Sequence, residues 1–283
     1  MKQSLNAAPH SDLANLIRIA VIGLWQTITS FISKTLVIAE LEVRKIRHDY
    51  TDLLTRAVQP ILWLLLYGEV LARTRAIPTG NVPYLDFMAP GILAQSVLFI
   101  SIFYGIAIIW ERDLGIVHKF LVSPTPRGAL VLGKALSAAL RALSQAFIIY
   151  LLALLLGVRI NWNPLALAGV VFIVFLSAAL FSTFSLIIAC LVKTRERFMG
   201  IGQVLTMPLF FASNAIYPIA IMPAWLGVLS RLNPLSYEVD AIRTLMLAGG
   251  VSVFGLWWDF AVLLLVGAVM VVLGARLYPR VVT

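Results

Sequence analysis

Residues 128–135, GALVLGKA, come within one residue of a phosphate-binding loop. In G-x-x-x-x-G-K-[ST] the glycines let backbone donors wrap a phosphate, and the hydroxyl after the lysine holds magnesium. Here Ala135 stands where the hydroxyl belongs, and the interior Ala-Leu-Val-Leu suits a helix. No strand-like segment precedes it, so the residue types favour a helix over a nucleotide site. Metal chemistry has as little support, because His10, His48 and His118 share no ligand spacing. Acid–base chemistry would need clustered carboxylates or histidines near one face. Glu238, Asp240 and Arg243 form such a cluster, but they sit on a helix that Asn233 and Pro234 start in the usual way, and the helix accounts for them.

Other polar residues interrupt long apolar runs. Glu69 and Asp259 fall near the outer ends of such runs and Arg141 near an inner end, where long side chains reach the headgroups at low cost. Gln59, Gln95, Gln145 and Asn214 fit either a lined path or hydrogen bonds between helices. Phe99, Phe103, Tyr104, Phe210, Phe211 and Tyr217 fit either contact with an apolar solute or ordinary packing. Ala138, Ala142 and Ala146, spaced four apart, predict a close helix contact.

The elements that position these residues belong to a membrane protein. Soluble domains are about 45–50% apolar and about 25% charged. This 283-residue chain is 61% hydrophobic and 12% charged, with a mean hydropathy of +0.95. So few charges cannot clothe a core of that size in water. Six runs are long enough to cross a bilayer, near 53–72, 88–110, 135–157, 165–192, 199–222 and 254–275. Residues 13–39 repeat apolar positions at three-four spacing with polar ones opposite, which predicts an amphipathic helix along the membrane surface. A seventh span there is the competing reading. The start of the chain does not read as a cleaved signal peptide. The lone Cys190 supports no disulfide framework.

Placing both termini in the cytoplasm puts 17 of the 22 lysines and arginines inside. Arg73, Arg75, Arg159, Arg231 and Arg243 are left outside. The basic composition is thus a topology signal, and nucleic acid is not needed to explain it. The segment 223–250 is apolar on one side only and predicts a helical dip into the outer leaflet. The loop 111–134 carries an apolar edge, Ile116, Val117, Phe120 and Leu121, beside Glu111, Arg112 and Asp113. Such an edge fits either a protein partner or the inner leaflet.

The order ERD…G…FLVSPTPRGALVLGK, followed by LNPLSYEVDAIRTLM, resembles the membrane subunit of type 2 ABC exporters. It is most similar to the daunorubicin-resistance permease branch. LTRAVQPILWLLLYGEVL and YLDFMAPGILAQS strengthen the likeness, which extends over roughly residues 40–250. The basic-aromatic pattern that opens the polysaccharide-exporting branch is not seen. The resemblance implies an all-α integral membrane protein with six transmembrane helices, an N-terminal amphipathic interfacial helix and a re-entrant helical segment before the last span. Residues 1–52 form the cytoplasmic region with the connecting helix, 53–275 the transmembrane domain and 276–283 a cytoplasmic tail.

By the same resemblance the loop carries the coupling helix that docks on a separate ATPase. The contact positions are Glu111, Arg112, Asp113, Leu114, Gly115, Phe120, Leu121, Pro124 and Arg127. Gln95, Phe99, Phe103, Phe210, Phe211, Asn214 and Tyr217 are the candidate substrate path, and Asn233, Pro234, Tyr237, Glu238, Asp240 and Arg243 mark the re-entrant segment. The chain then binds no cofactor and no metal, because ATP and magnesium sit on the partner. Two ATPase copies, a second permease (the same chain or a homologue) and membrane lipid are the implied partners, in a bacterial cytoplasmic membrane. The substrate is a drug, a lipid or a lipid-linked glycan. An ion-coupled secondary transporter is the alternative, and it predicts internal repeats and midplane carboxylates, neither of which is seen. A membrane-embedded lipid-modifying enzyme is a third class, with no catalytic cluster to support it.

Overall fold

The computed structural model describes residues 50–75, 77–80, 82–115, 127–192 and 194–278, with single positions 29, 33, 37, 40 and 117. The amphipathic helix expected at 13–39 and the loop residues Phe120, Leu121 and Pro124 lie outside the described residues, as does the Arg127 side chain. What is described is all helical, without a named strand. In chain order the elements are α1 (Tyr50–Leu62), a π-turn (Trp63–Gly68), α2 (Glu69–Thr74), α3 (Tyr84–Asp113), α4 (Arg127–Leu155) and α5 (Pro164–Leu191). Then come α6 (Arg195–Phe211), a 3-10 turn (Ile219–Ile221), α7 (Ala224–Leu232), α8 (Pro234–Met246) and α9 (Leu256–Leu277).

Four of these, within α3, α4, α5 and α9, are long and apolar enough to cross a membrane. Their 22 to 30 residues span about 33–45 Å at 1.5 Å each, against a hydrocarbon core of about 30 Å. Local sequence sets the ends. Asn163 accepts a hydrogen bond from the Leu165 amide, and Pro164 sits where no donor is needed, so α5 starts there. Asn233 and Pro234 repeat the device for α8, as the sequence predicts.

Two expected spans differ. The one at 53–72 is helical throughout but broken in pattern, with Pro60 in α1 and the π-turn after it. Proline removes an amide donor and crowds the carbonyl four residues back, and a wider turn is one way to absorb the misfit. The run at 199–222 is helical only to Phe211, because the chain turns at 212–217. Ser213 Oγ donates to the Phe210 carbonyl and the Tyr217 hydroxyl to the Phe211 carbonyl, which satisfies the last turn without more helix.

α3 and α5 form the centre. α4 and α9 pack on α5, and α8 wedges among α3, α5 and α9. Ala138, Ala142 and Ala146 are all buried, so the four-residue alanine spacing does mark a close contact. Lipid supplies no hydrophobic drive between helices, and association rests on close packing of small residues. Gly91 and Gly105 show how close. A Cβ on Gly91 would stand 2.2 Å from the Ala215 carbonyl oxygen, and one on Gly105 would stand 2.0 Å from Ser185 Oγ. Large apolar side chains such as Phe147, Leu165 and Trp257 point outward from the bundle.

Candidate functional site

Charged side chains gather at the two ends of α3. At its C-terminal end, Glu111 is buried and pairs with Lys134 of α4, Nζ to Oε1 at 2.5 Å, both side chains under a tenth exposed. The lysine of GALVLGKA is therefore spent inside a helix, and residues 128–134 do not form a phosphate loop. Next to it Asp113 accepts from Arg112 at 3.1 Å and from Arg195 at 2.8 Å.

Arg195 also lies over the Trp110 ring at 3.9 Å, a contact favourable to a guanidinium. Arg112 Nη1 donates to the Val192 carbonyl at 3.4 Å. These contacts clasp the start of the 111–134 loop to the turn between α5 and α6. Leu114 projects from it, 69% exposed, and Gly115 follows in a left-handed conformation at φ 71°. Below the clasp Ile108, Ile109, Leu130, Phe198 and Tyr278 pack as a small apolar core. Of the nine expected contact positions, Glu111 through Gly115 are placed together here; Glu111 faces inward to Lys134 rather than outward. Lys134, Arg195 and Tyr278 were not expected. Only pairing across helices reveals them, and one sequence does not display that.

The N-terminal end of α3 holds a second cluster. Asp86 accepts from Arg159 of the α4–α5 connection at 2.8 Å. Arg243 of α8 is buried, lies 3.8 Å over the Phe87 ring and donates to the carbonyls of Phe87 and Asn214. Asp240 accepts from the Ser252 hydroxyl and from the amides of Val253 and Phe254. Ser252 Oγ also lies 3.3 Å from Asp259.

Two expectations are corrected here. Asp259 does not reach toward headgroups but is fully buried. Glu238, Asp240 and Arg243 are not the wet side of a surface helix, since all three turn into the bundle. Irregular backbone at 212–222 and 247–255 needs hydrogen-bond partners, and Asp240 and Arg243 supply them. Arg141, expected to reach headgroups, lies 5.4 Å from the Tyr104 ring centroid on α3. Tyr237 is partly buried against Phe254, its hydroxyl bonded to the Arg231 carbonyl.

The expected path residues divide. Gln95 and Phe99 line a small cavity of about 20 Å³ together with Gln59 and Gln145, room for about one water. Phe99 meets Phe103 along α3 at 6.0 Å between ring centroids. Phe210 is buried against Trp63 at 5.9 Å, and Phe211 is half exposed beside it. Asn214 is buried near Arg243 and Tyr217 is partly exposed. The small cavity includes none of these last four. Among the described residues no three His, Cys, Asp or Glu side chains gather as metal ligands.

Comparison with known proteins adds an independent line. The family model described as ABC-2 type transporter matches residues 33–247. The ycf38 transport permease of Cyanophora paradoxa is 30% identical over 76% of this chain and 74% of its own length. The daunorubicin resistance ABC transporter permease protein DrrB1 of Streptomyces coeruleorubidus is 26% identical over 99% of this chain and 91% of its own. Nodulation protein J of Rhizobium leguminosarum bv. trifolii is 26% identical over 69% and 74%.

Proposed function

We propose that this chain, which belongs to the ABC-2 type transporter family, is the permease subunit of an ATP-driven exporter. It is a multi-pass membrane protein of the transport-permease kind. On our reading ATP and magnesium are bound by a separate ATPase, two copies of which drive a pair of permeases in a bacterial cytoplasmic membrane. Both termini face the cytoplasm, where the positive-inside bias places them. The composite helix from α1 to α2, together with α6, completes six spans, while 13–39 lies on the inner surface and α7–α8 form a re-entrant pair. The cargo is an amphipathic drug, lipid or lipid-linked glycan; the name of the DrrB1 relative favours a drug.

The observation that carries the reading is the family match across the whole 111–134 loop. The clasp at its base supports it. A loop that transmits force must start from a rigid element, and the Glu111–Lys134 pair with the Asp113–Arg195 bridge fixes α3, α4 and the α5–α6 turn together. Phe120 then belongs to the docking surface. The test is purification in gentle detergent from the native membrane, with mass spectrometry of what stays bound, and ATP-driven transport in vesicles. A soluble chain carrying G-x-x-x-x-G-K-[ST] that is lost in Phe120→Asp, with transport abolished and insertion unchanged, is the expected result. Full transport in that variant, or transport without ATP, would overturn it.

A further inference from the structure

A cavity of about 410 Å³ opens beside the N-terminal end of α3, where Asp86, Phe87, Arg159, Asn214, Arg243 and Gly250 converge. That size suits a headgroup or a small ligand. Its polar lining has an unusual charge balance. Arg243 spends Nε and Nη2 on carbonyl oxygens, at 2.8–3.3 Å, and its other near neighbour is the Phe87 ring. All of these are neutral. Among the described residues no carboxylate pairs with it and Nη1 has no hydrogen bond. Asp240, one turn earlier on α8, attracts it through space but spends its oxygens on Ser252, Val253 and Phe254. An arginine stays charged, and burying that charge against neutral partners leaves it only partly compensated.

The rim adds a second cation. Arg159 is 61% exposed along its side chain, yet its Nε reaches the buried Asp86 at 2.8 Å. One end of this pair is fixed and the other is free to turn. The Arg159 backbone is held by an antiparallel bridge, Ala248 amide to Arg159 carbonyl at 2.9 Å, so the guanidinium reaches Asp86 from an anchored base. With Asp86 engaged, the cavity keeps one net positive charge from Arg243. An entering anion finds a guanidinium edge on the floor and, by displacing Asp86, a second on the rim. Guanidinium groups bind phosphate and carboxylate through paired N–H donors.

The geometry points to an anion subsite in this cavity, formed by Arg243 and Arg159 and gated by Asp86, for the phosphate or carboxylate group of an amphipathic molecule. As a station for exported cargo it rests on the exporter reading; as an anion site it does not. The competition gives the test its sign. The full chain is placed in nanodiscs of phosphatidylcholine and titrated calorimetrically with dihexanoyl phosphatidic acid, dihexanoyl phosphatidylcholine and inorganic phosphate. The acidic lipid should bind at least about 10-fold tighter than the zwitterionic one, in line with charge-assisted bonding.

Arg159→Gln should weaken the acidic lipid by about 10-fold and Asp86→Asn should tighten it, since the rim guanidinium no longer has to leave a carboxylate. Arg243→Lys keeps the charge, loses the fork and should also weaken binding. Damage to the fold would weaken binding in all three variants, so opposite signs for Asp86→Asn and Arg159→Gln separate the site from its scaffold. Competition by inorganic phosphate would identify a free anion as ligand, and its absence an amphipath headgroup; both keep the site. Equal binding of the two lipids, or Asp86→Asn and Arg159→Gln moving together, would overturn it. Phe120→Asp should bind the acidic lipid like the parent while losing ATP-driven transport, so retained transport in that variant counts against the exporter reading and not against the subsite.

Discussion

The two ends of α3 handle buried charge in opposite ways. At the C-terminal end a carboxylate meets an ammonium: Glu111 and Lys134 neutralise each other across two regular helices. At the N-terminal end the buried charges bond to backbone. Arg243 gathers the carbonyls of Phe87 and Asn214, and Asp240 gathers the amides of Val253 and Phe254. The difference follows from the chain around them. α3 and α4 satisfy their own backbones, so a charge placed between them needs only a counter-charge. The turns at 212–217 and 247–255 lie outside regular helix, so amides and carbonyls there take their partners from side chains. Charged side chains there act as caps for irregular backbone. A consequence is that the N-terminal end of α3 keeps a buried guanidinium hydrogen-bonded only to neutral groups, while the C-terminal end does not.

This contrast can be broken most forcefully at Lys134. Lys134→Ala removes one partner of a buried pair and should destabilise the protein by about 3–5 kcal/mol. Glu111→Leu combined with Lys134→Met should recover most of that, as read by thermal unfolding in detergent. A double variant as damaged as the single one would show that Glu111 has obligations beyond the pair.

Asp240→Ala near the N-terminal end of α3 leaves two backbone amides without their acceptor. It should cost about 2–4 kcal/mol, and Asp240→Asn, which keeps an acceptor, clearly less. Hydrogen exchange at Val253 and Phe254 should rise in step. Equal damage from Asn and Ala would mean that the charge, not the cap, matters.

Glycine-to-alanine changes compare the ends by packing. In Gly91→Ala the new methyl meets backbone at Ala215, which cannot step aside; in Gly105→Ala it meets the Ser185 hydroxyl, which can rotate, and the Phe198 ring edge at 2.7 Å. Overpacking costs about 1–3 kcal/mol, and Gly91→Ala should sit at the upper end, measured by unfolding of the two variants side by side. The smallest effect belongs to Asp113→Asn. That group is exposed and its bridge to Arg195 is screened, so the unfolding midpoint should hardly move and the little that moves should vanish in high salt. Transport should respond more than stability if the clasp transmits force.

Much of this was legible in the residues. The 30 residues of α3 follow from a run with no Asp, Glu, Lys, Arg or His between Phe87 and Trp110. The starts of α5 and α8 follow from Asn-Pro pairs, and the alanine contact on α4 from four-residue spacing. The early end of α6 was not legible, because 199–222 stays apolar past Phe211 and hydropathy does not register a turn whose carbonyls are met by Ser213 and Tyr217.

Composition by itself determined that the chain belongs in a membrane, because the free energy of burial depends on residue type and local sequence alone. Only the tertiary structure decided which way the polar residues face. Helical period tells which side chains share a stripe. In a membrane, however, the lipid side and the packed side of a helix are both apolar, and the stripe does not say which neighbour it meets. Lys134 finding Glu111, Asp259 turning inward and Arg243 reaching two distant carbonyls are all contacts between segments far apart in the chain. They exist because α3, α4, α8 and α9 pack as they do, and no local pattern encodes that packing.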